Sequence, residues 1–349
     1  MNSPSKSEKK GLLLINVGTP QGTDPQQVKE YLAEFLMDPY VIDVPYVLRW
    51  LIVHGSVLRT RPAASAEAYQ KIWTQRGSPL KVASEDLVCE LQRELGEDWV
   101  VDFAMRYQKP SIREVLEKFH ASGVSEILVL PLYPQYSLAA TETSIQWSIK
   151  QAQEVSSQIK LHFIRSFYDH PTFIQAFEVN IRKAMQGFSY DHVLFSFHGL
   201  PERQIKKVNP SINECLSHAS CCSQMNEKNR DCYRAQCFET ARRLAQSLGI
   251  ESERYSIGFQ SRLGRTPWIR PYTDDLYRDL AARGVKKLLV VCPAFVADCL
   301  ETLEEIQMRG RDEFMGWGGE DLMLVPSLNA ESHWVRSLAA LVHEQALRA

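Results

Sequence analysis

The chain has 349 residues, of which 44% are hydrophobic and 23% charged, and its formal net charge is −2. This composition excludes a disordered or fibrous protein, and the even spread of lysine and arginine offers no basic patch for a nucleic-acid partner. The length exceeds what one hydrophobic core usually holds, so two domains are expected.

The opening segment MNSPSKSEKK is polar and expected to fray. No secretory apolar segment or cleavage site follows it, which predicts a cytoplasmic protein. The first strand is predicted at LLLINV (12–17). Next comes YVIDVPYVLRWLIVHGSVL (40–58), an apolar stretch interrupted by Asp43, Pro45, Arg49 and His54, and so unable to span a bilayer. Val47, Leu48, Trp50, Leu51, Ile52 and Val53 leave little polar face on a helix. Such a helix is buried or meets lipid, and these residues alone read as a core helix.

Seven further short apolar runs follow, each ended by turn residues: VVDFAM (100–105), EILVLPLY (126–133), LHFIRS (161–166), HVLFSFH (192–198), YSIGFQ (255–260), LLVVCPAF (288–295) and LMLVP (322–326). Segments such as SIREVLEKFHASG and FETARRLAQSLG between them carry helical periodicity. Strands alternating with helices predict an α/β fold with parallel sheets. The pattern also repeats. NVGTP (16–20) parallels FHGLP (197–201), and GVSEILVLPLYP (123–134) parallels GVKKLLVVCPAF (284–295). Two related α/β halves are expected, with ligands beyond the carboxyl ends of their strands.

Those ends carry Asn16, Arg106, Tyr107, Tyr133, Gln135, Tyr136, His198, Gln260, Ser261, Arg262 and Asp298. No G-x-G-x-x-G follows the first strand and no G-x-x-x-x-G-K-[ST] is present, which weighs against a nucleotide enzyme. His198 closes a continuous apolar strand and precedes Gly199, so it reads either as a rigidly held base near neutral pH or as a structural histidine. In FVADCLETLEEIQ (295–307), a helix beginning at Asp298 would set Asp298, Glu301 and Glu305 within an arc of roughly 60°. Such a row suits proton conduction or delivery of a hard divalent cation, although acidic residues also favour helix N-termini for electrostatic reasons.

Several blocks resemble the ferrochelatase family in their order: GLLLINVGTP, RPAASAEAYQKIW, MRY, LPLYPQYS, SFHGLPER, FQSRLGRTPWIRPYTDD and CPAFVADCLETLEEI. The resemblance runs from about residue 11 to 340. It implies a chelatase-like α/β architecture: two Rossmann-like domains, parallel sheets flanked by helices, and a porphyrin cleft between them. The expected domains are 11–170, completed by 328–349, and 171–327 with a cysteine-rich insertion at 213–237. The implied activity is insertion of Fe²⁺ into a porphyrin, protoporphyrin IX, to give haem with release of two protons. The alternatives are a chelatase for coproporphyrin or for cobalt, and a non-enzymatic two-lobed binding protein.

Position by position, the resemblance makes His198 the active-site base and Glu301 its acidic partner. Asp298 and Glu305 form the carboxylate row behind Glu301. Arg106, Tyr107 and Tyr133 match porphyrin-pocket positions. Gln260 and Arg262 fall in the FQSR block, and Arg106 and Arg262 have the forked geometry that suits propionates. The stretch 40–58 matches a lip that contacts porphyrin and, in some members, the inner face of the membrane. Some members carry histidine where this chain has Cys299.

CLSHASCCSQMNEKNRDCYRAQC holds five of the eight cysteines: Cys215, Cys221, Cys222, Cys232 and Cys237. A cytoplasm keeps thiols reduced, so metal ligation is the better default than disulfides. Cys232 and Cys237 fall at a helix start, which is expected to lower thiol pKa. Four thiolates could hold an iron–sulfur cluster, or zinc with His218 as an alternative ligand, and the spacing alone favours neither. Some ferrochelatases carry a [2Fe–2S] cluster, in certain bacteria on an internal insertion. The resemblance therefore implies such a cluster here, with one of Cys221 and Cys222 spare.

Overall fold

The computed structural model describes residues 9–208, 215–216, 219–262, 264 and 266–347. Its eight principal strands fall on the eight apolar runs: β1 Lys10–Gly18, β2 Trp99–Tyr107, β3 Glu126–Pro131, β4 Lys160–Phe163, β5 His192–His198, β6 Tyr255–Gln260, β7 Lys287–Val291 and β8 Asp321–Leu324. They form two four-stranded parallel sheets with orders β2-β1-β3-β4 and β6-β5-β7-β8. The central strands are buried on both faces. Leu12, Leu13, Leu14 and Ile15 of β1 and Leu288, Leu289, Val290 and Val291 of β7 are fully inaccessible. Helices on both faces of a parallel sheet explain such uninterrupted apolar runs.

The two sheets share one topology. In each, the first strand in the chain is central, the second joins one edge, and the third and fourth extend the other. The order therefore reverses between β1 and β3, and between β5 and β7. At such a switch point the loops beyond the strand ends diverge and leave room for a ligand.

The chain divides into two compact units. The first holds the described residues up to Leu132, Ala139–Arg165, and the described residues from Asn329 onward; the second holds Tyr133–Leu138 and Ser166–Leu328. The placing of Tyr133–Leu138 departs from the expected 11–170 boundary, and side chains explain it. The Gln236 side chain accepts from the Tyr136 N–H at 2.6 Å, and Gln135 Nε2 donates to Thr240 Oγ1 at 3.0 Å. Both partners lie on the helix Tyr233–Leu248 of the second unit.

Candidate active site

His198 is the last residue of β5 and pairs in register with Gln260 at the end of β6. Its Nδ1 lies 2.6 Å from the carbonyl oxygen of Gly199. A carbonyl can only accept, so Nδ1 carries the proton and the lone pair of neutral imidazole is on Nε2. The Phe295 ring lies 6.3 Å away, centroid to centroid. Gly199 is required: a Cβ there would sit 2.8 Å from the backbone oxygen of Gln260.

The carboxylate row is built differently from the expected α-helix. Asp298 precedes the helix. Cys299 caps a short turn, Leu300–Thr302, and Leu303–Gly310 is π-helical. Asp298 lies outside the helix and the turns that follow are i→i+5, so α-helical spacing is not what sets these side chains. Asp298 Oδ1 instead accepts from Thr302 Oγ1 at 3.2 Å and from the Ser327 N–H at 3.3 Å. Tertiary contacts still bring the row together. Glu305 accepts from the Ser261 N–H at 2.8 Å and from the Ser261 hydroxyl, and its charge is felt by Glu301 and His198. Ser261 is held in the left-handed region at φ 66°, a strained conformation for a residue with a side chain. Cys299 is buried and hydrogen-bonded to Glu301, which raises its thiol pKa with burial as the larger cause.

Gln260 is buried, and its amide organises the site. Its Nε2 donates to the Glu301 carbonyl at 2.8 Å, while its Oε1 accepts from Ser196 Oγ at 2.8 Å. It thereby ties β5 and β6 to the Glu301 turn. Arg309 was missed from sequence. It stands 3.6 Å from Glu304, 3.8 Å from Glu305 and 3.8 Å from Glu313. Its position four residues after Glu305 was the available signal.

Burial, with the neighbouring Glu301 charge, raises the Glu305 pKa against the opposing Ser261 bonds. A raised folded value means the native state binds this proton more tightly than the unfolded chain does. The stabilisation is full below the ordinary carboxyl range of about 4.3 and is lost as pH rises through the raised folded value. Glu305→Gln is therefore expected to gain in melting temperature relative to the parent as pH is raised across that window. A difference that stays flat with pH counts against the assignment.

In the first unit, Arg106 and Tyr107 end β2 and converge on Asp38. Arg106 Nη2 lies 2.6 Å, the Tyr107 hydroxyl 2.9 Å and Thr143 Oγ1 2.6 Å from Asp38 Oδ2. The Arg106 guanidinium also lies over the rings of Tyr107 and Trp147, at 4.6 Å from each centroid. Two of its nitrogens are thus engaged within the unit, since Nε donates to Thr143 at 2.9 Å. Tyr133 belongs to the second unit and is half-buried. Arg262 is exposed, pairs with Asp274 at 2.5 Å and lies over the Tyr272 ring.

The stretch 40–58 corrects the core-helix expectation. In the helix Tyr46–Ile52, Tyr46 is 63% and Val47 69% exposed, and Leu48, Trp50, Leu51 and Ile52 are also exposed. The charged residue is the buried one. Arg49 is 7% exposed and donates to the carbonyls of Ile42 at 3.1 Å and Val44 at 3.0 Å. Those bonds turn the polar residue inward and leave the apolar ones outside. No described helix is long and apolar enough to cross a membrane.

The cysteines of 215–237 neighbour one another as free thiols. Cys232 caps the helix Tyr233–Leu248 and hydrogen-bonds both Cys215 and Cys222; Cys221 lies 3.4 Å from Cys222. The expected lowering of the Cys232 and Cys237 pKa values is not found. A hydrogen bond with Cys215 raises Cys232, and complete burial raises Cys237. Burial of a thiolate outweighs the helix-end field there. Among the described residues, no three Cys, His, Asp or Glu side chains are arranged to hold a metal ion. Cys222, Cys232 and Cys237 are buried and Cys215 and Cys221 half-buried, and thiols bonded to one another in this way are of the donor type that a thiophilic cation would help to ionise. His218 lies outside the described residues.

These features define the class: an α/β protein of two units, the second presenting an imidazole and carboxylates at its strand ends. Two solved structures share the fold. One is SirB from Bacillus subtilis with Fe³⁺, at TM-score 0.55 and 10% identity, covering 97% of this chain and 96% of that one. The other is the sirohydrochlorin chelatase SirB from Bacillus subtilis subspecies spizizenii in complex with cobalt, at TM-score 0.53 and 10% identity, covering 97% and 95%. A family model described as ferrochelatase matches residues 9–346. The ferrochelatase of Pseudomonas entomophila is 46% identical over 334 residues, which is 95% of this chain and 97% of that protein. The ferrochelatase of Coxiella burnetii (strain Dugway 5J108-111) is 44% identical over 335 residues, 96% and 93% of the two chains. The chain belongs to the ferrochelatase family.

Proposed function

We propose that His198 is the proton acceptor in the reaction of this family, insertion of Fe²⁺ into a porphyrin to give haem. The two pyrrole protons must leave before the metal can occupy the ring, and they leave a weakly acidic donor. The observation that carries this reading is the 2.6 Å bond from Nδ1 to the Gly199 carbonyl, which leaves Nε2 as the acceptor. Glu301 is the acidic partner. Asp298 and Glu305 pass protons or ferrous iron to and from it, a reading supported by the electrostatic coupling of Glu305 to both Glu301 and His198.

Arg106, Tyr107, Tyr133, Gln260 and Arg262 line or shape the porphyrin site. Arg106 and Gln260 do so as supports, because their polar atoms bond within the protein. The exposed Arg262 remains the candidate for a propionate. The outward apolar face of Tyr46–Ile52 supports a weakly carboxylated ring such as protoporphyrin IX, and a peripheral contact with the inner face of the membrane by an otherwise cytoplasmic protein. Anaerobic turnover with Fe²⁺, Co²⁺ and Zn²⁺ against protoporphyrin IX and coproporphyrin tests the substrates. The highest kcat/KM is expected for Fe²⁺ with protoporphyrin IX; preference for cobalt or coproporphyrin would replace that assignment.

Cys215, Cys222, Cys232 and Cys237 would hold a [2Fe–2S] cluster, with Cys221 spare. Support comes from the bonds of Cys232 to Cys215 and Cys222, and from the burial of Cys222 beside a less buried Cys221. Such a group supplies one-electron chemistry when bound. Single serine substitutions, followed by iron, sulfide and zinc content, check the ligand set. Loss is expected at Cys215, Cys222, Cys232 and Cys237 and retention at Cys221→Ser. Retention of iron and sulfide in all five variants, or their loss in all five, would overturn this ligand set, and zinc without sulfide would rule the cluster out.

A further inference from the structure

We infer that Tyr233 is a positioning residue for His198, an inference that rests on His198 being the base. Tyr233 is the first residue of the helix Tyr233–Leu248 and is 6% exposed. Its hydroxyl donates to the backbone carbonyl of His198 at 2.8 Å. That carbonyl and the Gly199 N–H are the two ends of one peptide, and in a trans peptide they point in opposite directions. The Gly199 N–H donates to the Gln260 carbonyl on β6 at 2.8 Å. The His198 carbonyl therefore faces away from β6. On that other side the β5–β7 ladder has already ended, at Phe195 opposite Val291. Tyr233 supplies the donor that a longer β7 would have supplied.

With both ends bonded, the plane of this peptide is fixed. The next carbonyl along the chain, that of Gly199, is the one that accepts from Nδ1. Releasing the clamped peptide would free the φ of Gly199, and with it the direction of that oxygen relative to the ring. The tautomer and direction of the imidazole thus depend on the Tyr233 hydroxyl. Tyr233 also follows Cys232 directly, so the cysteine-bearing segment reaches the backbone of the base.

Tyr233→Phe removes only the hydroxyl. The expected result is a roughly tenfold or larger fall in kcat, since a displacement of about an ångström can cost about a hundredfold. The KM for porphyrin should hold, and the pH profile of kcat should move as the fixed tautomer is lost. Nitrogen-15 spectra should show His198 protonated on Nδ1 in the parent and as a mixture of tautomers in the variant. Unchanged kcat and an unmoved profile would overturn the inference. So would a joint loss of kcat, KM and thermal stability with the profile unmoved, which marks a purely structural residue. A parent spectrum with the proton on Nε2 overturns it whether or not the variant folds. If His198→Ala retains turnover, the base assignment itself has failed, whatever Tyr233→Phe does.

Discussion

His198→Ala is expected to bind porphyrin as the parent does and to lower kcat by roughly 10²–10⁴, the range for loss of a positioned general base. The reasoning is geometric. The imidazole stands at the end of β5, and its Nδ1 is committed to the Gly199 carbonyl at 2.6 Å. Alanine keeps the strand and removes the one nitrogen with a free lone pair. Binding should survive because the proposed porphyrin site draws on residues other than His198, so the effect falls on kcat and leaves KM nearly constant. Fluorescence quenching of bound porphyrin, measured beside metallation under anaerobic conditions, separates the two. Unchanged turnover would remove His198 from the mechanism. A matched rise in KM would make it a binding residue instead.

Asp38→Ala is expected to destabilise the first unit by about 3–5 kcal/mol, the cost of breaking a buried ion pair from one side. The Asp38 side chain is 2% and that of Arg106 9% exposed. The carboxylate accepts from Arg106, Tyr107, Thr143 and the Tyr40 N–H. Removing it strands the Arg106 charge between two rings and leaves three further donors without their acceptor. Asp38→Asn retains an acceptor oxygen and should cost less. Denaturant midpoints at constant slope would measure both. A loss below about 1 kcal/mol for the alanine variant would mean that water replaces the carboxylate, a far smaller role than the burial of the pair implies.

The strands, and His198 as a candidate base, were legible because their signals are local. Uninterrupted apolar runs such as LLLINV and LLVVCPAF need both faces covered, and a parallel sheet meets that need. A histidine closing such a run before a glycine was likewise visible, whereas the reason for the glycine, the Gln260 carbonyl against it, appears only in the fold. The carboxylate row was visible as residue types, but it was drawn on an α-helix that the chain does not form there. Its turns are π-helical and Glu305 is held by Ser261 from another part of the chain, which a periodicity argument based on 3.6 residues per turn cannot contain. The stretch 40–58 failed for a related reason. Its composition allowed a core helix, and the reach of Arg49 to two backbone carbonyls turned the apolar face outward.

The α/β class, the duplicated plan and the family could thus be read along the chain, and His198, Glu301 and the clustered thiols stood out there as candidates. These follow from residue type and from order along the chain. Only the tertiary structure decided that Asp38 holds Arg106, that Gln260 ties the Glu301 turn to the sheet, and that Tyr233 bonds the backbone of His198. Each of these pairs is separated by at least 35 residues in the chain. Hydrogen bonds of that kind depend on where folding brings side chains, and periodicity along the chain carries no record of it.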